Sequence, residues 1–484
     1  MLDSIYRLSQ PSIDTREARF ERWALIGVLA VWATMIGTIL RWVALYGRNV
    51  PWREDWVMVP ALVGKEPHLL EWLWAQTMEH RTPIHKAVYL VLLRASGGDF
   101  RIGMIANIVM LSGLCLAMIV MARRLRGGQT RLADAFFPLV FLHLGHFENI
   151  FFGWQIGYVI STGLICVWLL IIVGNCWPLS PKIAVTAGLT LVLLPFSGAH
   201  GMIFTPFVAL WLAAGALLYR GDMTARWIVP FQSGCVFVSI ALVGLYFVGY
   251  EHATPPNSGV VSIMIMAARF VGMALGPVGA GTGRVFPGSM IGVLFFGVAS
   301  LLWVSAIIPL SRGLRSISSG ERFRVFGFVM FAAATAALIL LIAWGRAGAV
   351  PLWGMPGRYA LLSVPWLCGV YFAWILYGPE TTRNRVAITF AIAVLLALPF
   401  NLRQGLAYRD AYVTGMRAFE QDLTDGLSWQ ELAERHQKFL MDWDHSSVMK
   451  GMEMLHEAKM GPVEKCTTVG HLRYRKAVDL LAAS

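Results

Sequence analysis

Two consecutive stretches decide the fold: WALIGVLAVWATMIGTILRWVALY at residues 23–46, followed directly by GRNVPWREDW at residues 47–56. The first is long enough to cross a bilayer, whose roughly 30 Å of hydrocarbon takes about 20 helical residues. It is also too long for the core of a signal peptide, so we predict a retained span. The second sets Glu54 and Asp55 between Trp52 and Trp56. Because tryptophan favours the membrane–water interface, we expect these two acids at the membrane surface.

The composition extends this interpretation to the whole chain. Of its 484 residues, 57% are hydrophobic and 14% are charged, and the mean hydropathy is +0.61. These values indicate an all-α, polytopic membrane protein with most of its residues in lipid. The net charge of +12 comes largely from short loops between apolar runs, where Lys and Arg set the topology. Nucleic acid is therefore not an expected partner.

The hydrophobic pattern predicts a helical bundle of about eleven spans. They lie at 23–46, 102–122, 132–147, 155–174, 183–198, 202–219, 227–250, 289–310, 325–344, 359–377 and 386–401. Every predicted cytoplasmic segment contains Arg or Lys, whereas the short external links 148–154 and 199–201 contain neither. This asymmetry follows the positive-inside rule and predicts a cytoplasmic amino terminus and an external carboxyl terminus.

The predicted orientation requires that residues 260–280 do not cross the membrane. Arg269 lies in the middle of this run, and Gly276 and Pro277 interrupt it. Irregular backbone at membrane depth must be buried in protein or line a cavity. We therefore expect an external re-entrant or surface helix.

Three regions follow from the pattern. Residues 1–22 form a cytoplasmic segment, and 23–401 form the transmembrane domain, which includes an external loop at 47–101 with short surface helices. Residues 402–484 form a small external helical region. Within it, Ser428 and Glu431 have the spacing of a capping box, and a further helix is predicted from Ser446 to Lys459.

Unusual polar residues concentrate at the predicted external ends of the spans. Ionisable groups at membrane depth are costly and are functional candidates for that reason. The candidates are Glu54, Asp55, His80, Arg81, His143, His146, Glu148, His200, Arg269, Arg284, Arg346, Arg358 and the adjacent Tyr359. The cytoplasmic halves of the spans contain almost no acids or histidines, which disfavours a polar transport path.

These residues also have structural explanations, which the sequence leaves open. Arg53 or Arg81 would neutralise Glu54 or Asp55 in a simple ion pair. Arg346 and Arg358 would then form exposed ion pairs or snorkel to the interface.

One short pattern has the spacing of a metal site. His143 and His146, with Glu148 nearby, have loose metal-ligand spacing, but the pattern lacks a cysteine or a third fixed ligand. The sequence does not identify a metal.

The order of these features resembles that of the GT-C membrane glycosyltransferases. Similar to that family are the basic start, the single span, the first external loop with its acid pair and surface helices, and the total of about eleven spans. The motifs that carry the resemblance are Glu54-Asp55, Glu79-His80-Arg81, Phe147-Glu148-Asn149, Trp154-Gln155 and Gly357-Arg358-Tyr359.

The resemblance implies a polyprenyl-phosphate-linked sugar as donor and an acid of the first external loop as base or metal ligand. That role would fall to Asp55 or Glu54, and we favour Asp55 because Arg53 is a ready structural partner for its neighbour. A divalent metal ion is thus a candidate cofactor. Arginine binds phosphate bidentately through its planar fork. Candidates for the donor phosphate are Arg358, Arg346, Tyr359 and Arg269, and further site candidates are His80, Arg81, Glu148 and His200.

We accordingly expect a glycosyltransferase of a bacterial inner membrane, with a glycan or glycolipid of the cell envelope as acceptor on the outer face. Two other functions remain open. A lipid-linked polysaccharide polymerase or ligase would depend less on the acids of the first loop. A lipid or sugar flippase would need polar groups that reach the cytoplasmic side.

The predicted topology is testable by cysteine labelling. In a background without native cysteines, Ser446→Cys is expected to react with an impermeant reagent added outside spheroplasts, and Ser318→Cys is expected to stay protected until the membrane is opened. Labelling of position 318 from outside intact spheroplasts would overturn the topology.

Overall fold

The computed structural model describes residues 15–177, 179–218, 226–251, 259–281, 288–315, 318–348, 355–441 and 443–461. Within these residues the protein is built of helices and contains no β-strand. The candidate residue Arg284 lies outside them. The first ten α-helices are α1 (Thr15–Tyr46), α2 (Val59–Leu62), α3 (Leu69–Trp74), α4 (Pro83–Ala95), α5 (Arg101–Leu125), α6 (Phe136–Phe141), α7 (Phe147–Phe151), α8 (Ile156–Gly174), α9 (Pro181–Phe196) and α10 (Ala199–Leu218).

The remaining α-helices are α11 (Ile228–Phe247), α12 (Val260–Gly272), α13 (Gly288–Ser305), α14 (Ile307–Leu314), α15 (Ser319–Ala347), α16 (Ala360–Tyr377), α17 (Glu380–Thr424), α18 (Trp429–Leu440) and α19 (His445–Glu457). Short 3₁₀ helices connect several of them, at Arg53–Met58, Leu132–Ala135, Leu144–His146, Gly153–Gln155, Met273–Leu275, Pro277–Ala280 and Gly357–Tyr359.

The described residues are helical, as predicted, and include the apolar helices expected of a multi-pass membrane protein; the number of eleven spans stays a prediction. Nine helical segments of the described chain are long and apolar enough to cross a membrane. They are Arg19–Tyr46, Arg101–Leu125, Gly153–Gly174, Ala199–Leu218, Ile228–Phe247, Met290–Leu314, Ser319–Ala347, Gly357–Tyr377 and Glu380–Thr424. Two shorter apolar helices, Pro181–Phe196 and Val260–Leu275, lie among them. In the 18-residue apolar window of the segment that contains α16, 94% of the residues are buried, so α16 is the centre of the bundle.

The predicted span at 132–147 is not one continuous helix. It consists of α6 and two 3₁₀ turns, and most of its residues are buried. Its start is fixed by a hydrogen bond of 2.8 Å from Tyr371 Oη of α16 to Asp134 Oδ1, while Glu148, just after its end, contacts the opposite end of the same helix. The segment therefore runs alongside α16 for about 20 Å. Irregular backbone is tolerated at this depth because protein, not lipid, surrounds it.

The segment 260–280 is interrupted, as its sequence predicts. Helix α12 has 13 residues, which span only about 20 Å and are too few to cross the hydrocarbon. The chain then breaks at Gly276, whose φ of 121° is open to glycine but strained for other residues. Asn401 Nδ2 of α17 donates a hydrogen bond of 2.8 Å to the carbonyl oxygen of Leu275. This contact satisfies one carbonyl that the break leaves without a helical partner.

The carboxyl-terminal helices continue the bundle without a gap. Helix α17 has 45 residues and passes straight through position 402, where the sequence predicts the boundary of the last region. Helix α18 begins with the predicted capping box, in which Ser428 and Glu431 satisfy each other's backbone N–H groups. The helix predicted from Ser446 to Lys459 is present as α19.

Helices α17, α18 and α19 hold the loop at residues 47–101; we call the side of the bundle that carries this loop the first-loop face. Trp52 Nε1 donates a hydrogen bond of 2.8 Å to the carbonyl oxygen of Phe439 at the end of α18. Its ring lies 5.3 Å from that of Tyr412 on α17. Lys65 forms an ion pair with Glu457 of α19. We call this set of contacts the clasp.

Glycine allows a close approach where α4, α5 and the start of α8 meet. A Cβ atom added at Gly153 would lie 2.3 Å from Tyr89 Oη, and one added at Gly103 would lie 2.7 Å from the Cα atom of Gly153. No side chain fits between these backbones. Tyr89 consequently reaches the start of its own loop, where its hydroxyl donates a hydrogen bond to Asp55.

We expect Gly153→Ala to lower the free energy of unfolding by about 1–3 kcal/mol, because the added methyl group must displace Tyr89. Gly163→Ala is the matched control: the position lies inside α8, and nothing is within 4 Å of the added Cβ. The control is expected to be neutral or slightly stabilising, since alanine favours a helix interior over glycine. Melting temperatures of the two purified variants measure the difference, and equal values would contradict the packing described.

Candidate functional site

The first part of the site is an ion pair at the start of α16. Arg358 Nη1 donates a hydrogen bond of 3.3 Å to Glu148 Oε2 of α7. The backbone N–H groups of Gly357 and Arg358 donate to the two oxygens of the same carboxylate, each at 3.1 Å. Glu148 thus neutralises a helix end whose free N–H groups carry partial positive charge.

A second arginine reaches the same place from the end of α15. Arg346 donates through Nε and Nη2 to Tyr359 Oη, at 2.9 and 2.7 Å. Tyr158, at the start of α8, hydrogen-bonds to Arg358, and its ring lies 5.7 Å from that of Tyr359. Two guanidinium groups and two phenols therefore form one cluster in the bundle.

Two histidines border this cluster. The rings of His80 and His200 are 5.1 Å apart, and the ring of His200 lies 4.6 Å from that of Tyr158. Burial, together with the positive charges of Arg346 and Arg358, lowers the pKa of His80 to about 4. His80 is therefore neutral at physiological pH, and its buried Nδ1 has no hydrogen-bond partner among the described residues.

Glu54 of the first loop completes the cluster. It lies in electrostatic range of Arg358, Arg53 and Glu148, and its Oε2 is buried without a hydrogen-bond partner in the described part of the chain. Burial raises the pKa of Glu54, although the two arginines oppose the shift. Arg53 precedes it with φ of 52°, a left-handed conformation uncommon outside glycine. After this turn, the side chains of Glu54 and Asp55 point in different directions.

Asp55 points into a different environment. Its Oδ1 accepts hydrogen bonds from Tyr89 Oη at 2.9 Å and from the N–H of Trp154 at 3.0 Å. Its Oδ2 accepts from the N–H of Trp52 at 3.3 Å. Burial raises the pKa of Asp55 to about 8, although these hydrogen bonds lower it. The described residues show no ion pair of Asp55 with Arg53 or Arg81, the structural explanation that the sequence left open; hydrogen bonds from neutral groups hold the carboxylate and the loop instead.

Two other candidates stand apart from these contacts. Arg81 donates to the carbonyl oxygens of Trp74, Val248 and Gly249, at 3.2, 2.9 and 2.9 Å, and so ties the first loop to the end of α11. Arg269 lies on α12, and its buried Nη1 has no partner among the described residues.

His143 and His146 form hydrogen bonds with the backbone of their own and the preceding turn. His143 Nδ1 accepts a hydrogen bond of 3.0 Å from the N–H of Gly145, and His146 Nε2 lies 2.9 Å from the carbonyl oxygen of Val140. In the described residues no three His, Cys, Asp or Glu side chains are grouped closely enough to hold a metal ion. A metal ligand set is therefore not apparent in this part of the chain.

Sequence reasoning missed Tyr158 and Tyr89. Tyr158 stands at the entrance of a span, where aromatic residues are common for interfacial reasons alone. Its one signal was the likeness of its position to that of Tyr359, which also opens a span. Tyr89 lies in an apolar run of the first loop and has no local signal, because its partner Asp55 is distant in sequence.

Comparison with known proteins gives no further guide. No protein-family model matches this chain. No curated protein and no solved structure matches it either.

Asp55→Asn is expected to reduce stability by about 1–3 kcal/mol, because the amide nitrogen cannot accept the buried N–H of Trp52. The folded protein holds the Asp55 proton up to a pKa of about 8 against the ordinary 3.8. Its stability should therefore fall as pH rises from about 4 to about 8, and the variant should lack this contribution. Melting temperatures across this pH range test both points. A variant as stable as the parent at every pH would exclude the structural role.

Proposed function

We propose that this protein is a membrane glycosyltransferase that takes a sugar from a polyprenyl-phosphate-linked donor and passes it to a cell-envelope glycan or glycolipid on the outer face of a bacterial inner membrane. The observation that carries the proposal is the cluster of Arg346, Arg358 and Glu54 at the first-loop face. It combines two cations for a phosphate with an acid that has a free buried oxygen.

The arginines are suited to a phosphate leaving group. Transfer from a lipid phosphate develops negative charge on the phosphate as the sugar departs, and fixed cations stabilise that charge best where water is excluded. Arg358 and Arg346 both meet Tyr359, with ring-to-guanidinium distances of 5.8 and 5.4 Å. Their present partners, Glu148 and the Tyr359 hydroxyl, are groups that a phosphate can replace.

A small apolar pocket of about 20 Å³ lies near the cluster. It is too small to hold a polyprenyl chain, and only its apolar lining supports a lipid-linked ligand. It is lined by Phe270 of α12, Ala274 of the 3₁₀ helix that follows, Thr335 and Ile339 of α15, and Ser363 and Trp366 of α16, among others. On α15, Arg346 follows Ile339 by two helical turns on the same face, which is about 10 Å along the axis. On α16, Ser363 lies one turn beyond Tyr359. A phosphate held by the arginines would therefore have its hydrocarbon chain directed along apolar side chains.

Glu54 is the residue we propose as general base. The acceptor hydroxyl must lose a proton, and a carboxylate with a raised pKa takes up a proton more readily than an ordinary one. Burial raises the pKa of Glu54, and its Oε2 is free of protein partners within the described residues. Asp55, which we favoured from the sequence, already accepts three hydrogen bonds. The geometry thus favours Glu54 for this step and Asp55 for holding the loop.

The polar groups at the opposite end of the bundle weigh against a transport path. Arg126 Nη1 binds both oxygens of Asp134 at 2.8 Å, and Arg324 Nη1 binds both oxygens of Glu321 at 3.0 Å. In both pairs the charges are neutralised within the protein. A polymerase or ligase acting on lipid-linked glycans would share the arginines, and the two enzymes differ in the donor that they consume.

The proposal is tested by measuring consumption of a polyprenyl-phosphate sugar by the purified protein in nanodiscs. We expect Glu54→Gln to lower turnover by about 10²- to 10⁴-fold with an unchanged or higher melting temperature, because a buried unpaired carboxylate is removed. Arg358→Lys should weaken donor binding, since lysine lacks the bidentate fork. Arg324→Lys, at the opposite end, is the control and should act like the parent. Parental turnover in Glu54→Gln would eliminate Glu54 as the base, and no donor consumption by the parent protein would reject the proposed reaction.

A further inference from the structure

The carboxylate of Glu148 occupies a complete anion-binding arrangement. Its oxygens accept hydrogen bonds from the backbone N–H groups of Gly357 and Arg358 and from Nη1 of Arg358. Backbone N–H groups at the start of a helix and an arginine fork are the groups that bind phosphate oxygens in proteins. An internal carboxylate thus holds the position that is best suited to a ligand's phosphate.

The surroundings of the Glu148 carboxylate favour its replacement by a phosphate at these donors. Glu148 and Glu54 repel each other across the cluster, and this repulsion contributes to the raised pKa of Glu54. The side chains of Glu148 and Arg358 retain 18% and 25% of their exposure, so the pair is not sealed in the core. Its strength comes from charge-assisted hydrogen bonds, which a phosphate with more negative charge and more oxygens forms better.

A close fit explains how the carboxylate is held in place. A Cβ added at Gly357 would lie 3.1 Å from Phe147 Cζ and 3.2 Å from Glu148 Oε1, so glycine is what lets α7 approach this backbone. Asn149 Nδ2 also donates a hydrogen bond of 3.4 Å to the carbonyl oxygen of Arg358. Helix α7 therefore delivers Glu148 to the helix end from a short, five-residue element.

We propose that Glu148 is a resident substitute for the ligand's phosphate, and that a phosphate binds this protein by displacing the Glu148 carboxylate from the N–H groups of Gly357 and Arg358. The lipid attached to that phosphate rests on the proposed function, whereas the displacement itself does not. Glu148 then competes with the ligand's phosphate for these hydrogen-bond donors. A phosphate displaces it because the phosphate has more negative charge. Neutral lipids and weakly charged headgroups leave the ion pair closed.

The test compares the binding of farnesyl phosphate and of inorganic phosphate by calorimetry, using the full-length protein in detergent. We expect Glu148→Gln to bind farnesyl phosphate about tenfold more tightly than the parent, because the amide keeps an acceptor oxygen but no longer competes as an anion. Glu321→Gln removes an acid from another arginine pair, the one with Arg324, and should bind like the parent. It controls for the change in net charge.

The outcomes separate this inference from the proposed function. Tighter binding by Glu148→Gln supports displacement, while equal or weaker binding overturns it and makes Glu148 a group that positions Arg358. If Glu148→Gln does not fold, Glu148→Asp replaces it, because the shorter carboxylate cannot reach all three donors and should also bind phosphate more tightly. If Glu148→Gln binds inorganic phosphate more tightly than the parent does and shows no preference for farnesyl phosphate, displacement is supported and a lipid-linked donor is rejected. Absence of phosphate binding by both parent and variant refutes the displacement.

Discussion

The carboxylate of Asp55 is the contact on which the geometry of the first-loop face depends. It joins the start of its own loop at Trp52, the helix α4 at Tyr89 and the start of α8 at Trp154. These three parts of the chain approach one another only because Gly153 has no side chain. A buried carboxyl group without its donors would be costly, so the loop has one favourable arrangement. Glu54 is the next residue, and its position follows from that of Asp55.

The positive charges around Arg358 are paired with groups of the protein itself. Glu148 meets Arg358, and the Tyr359 hydroxyl accepts from Arg346. Charges with so little access to water must be paired, since their desolvation otherwise exceeds what the fold can offset. The same pairing keeps two cations side by side at the start of α16. Under the proposed function, Glu148 and the Tyr359 hydroxyl are the groups that stand where an anion would bind.

Individual residues show how far the sequence predicts this structure. Hydrophobic runs predicted the helical membrane bundle, and the capping box at Ser428 predicted the start of α18, because both depend on local pattern. The stretch 132–147 is as apolar as a span but folds as short turns, since hydrophobicity does not tell a lipid-facing helix from a chain surrounded by protein. Charge placed Glu54, Glu148 and Arg358 among the candidates. It could not tell Glu54 from Asp55, because that depends on the left-handed turn at Arg53 and on Tyr89 and Trp154, which are distant in sequence.

The length of α17 ties the site to the thickness of the membrane. Its 45 residues extend about 68 Å, more than twice the roughly 30 Å of hydrocarbon. The length of this helix, and not the lipid, determines the distance from Glu380 to the clasp around Trp52. In a thicker or thinner bilayer, α17 adapts by tilting or by bending at Pro399, where a backbone N–H is missing. In the proposed arrangement, the position of Glu54 relative to the bilayer therefore depends on the length of α17 and on its tilt.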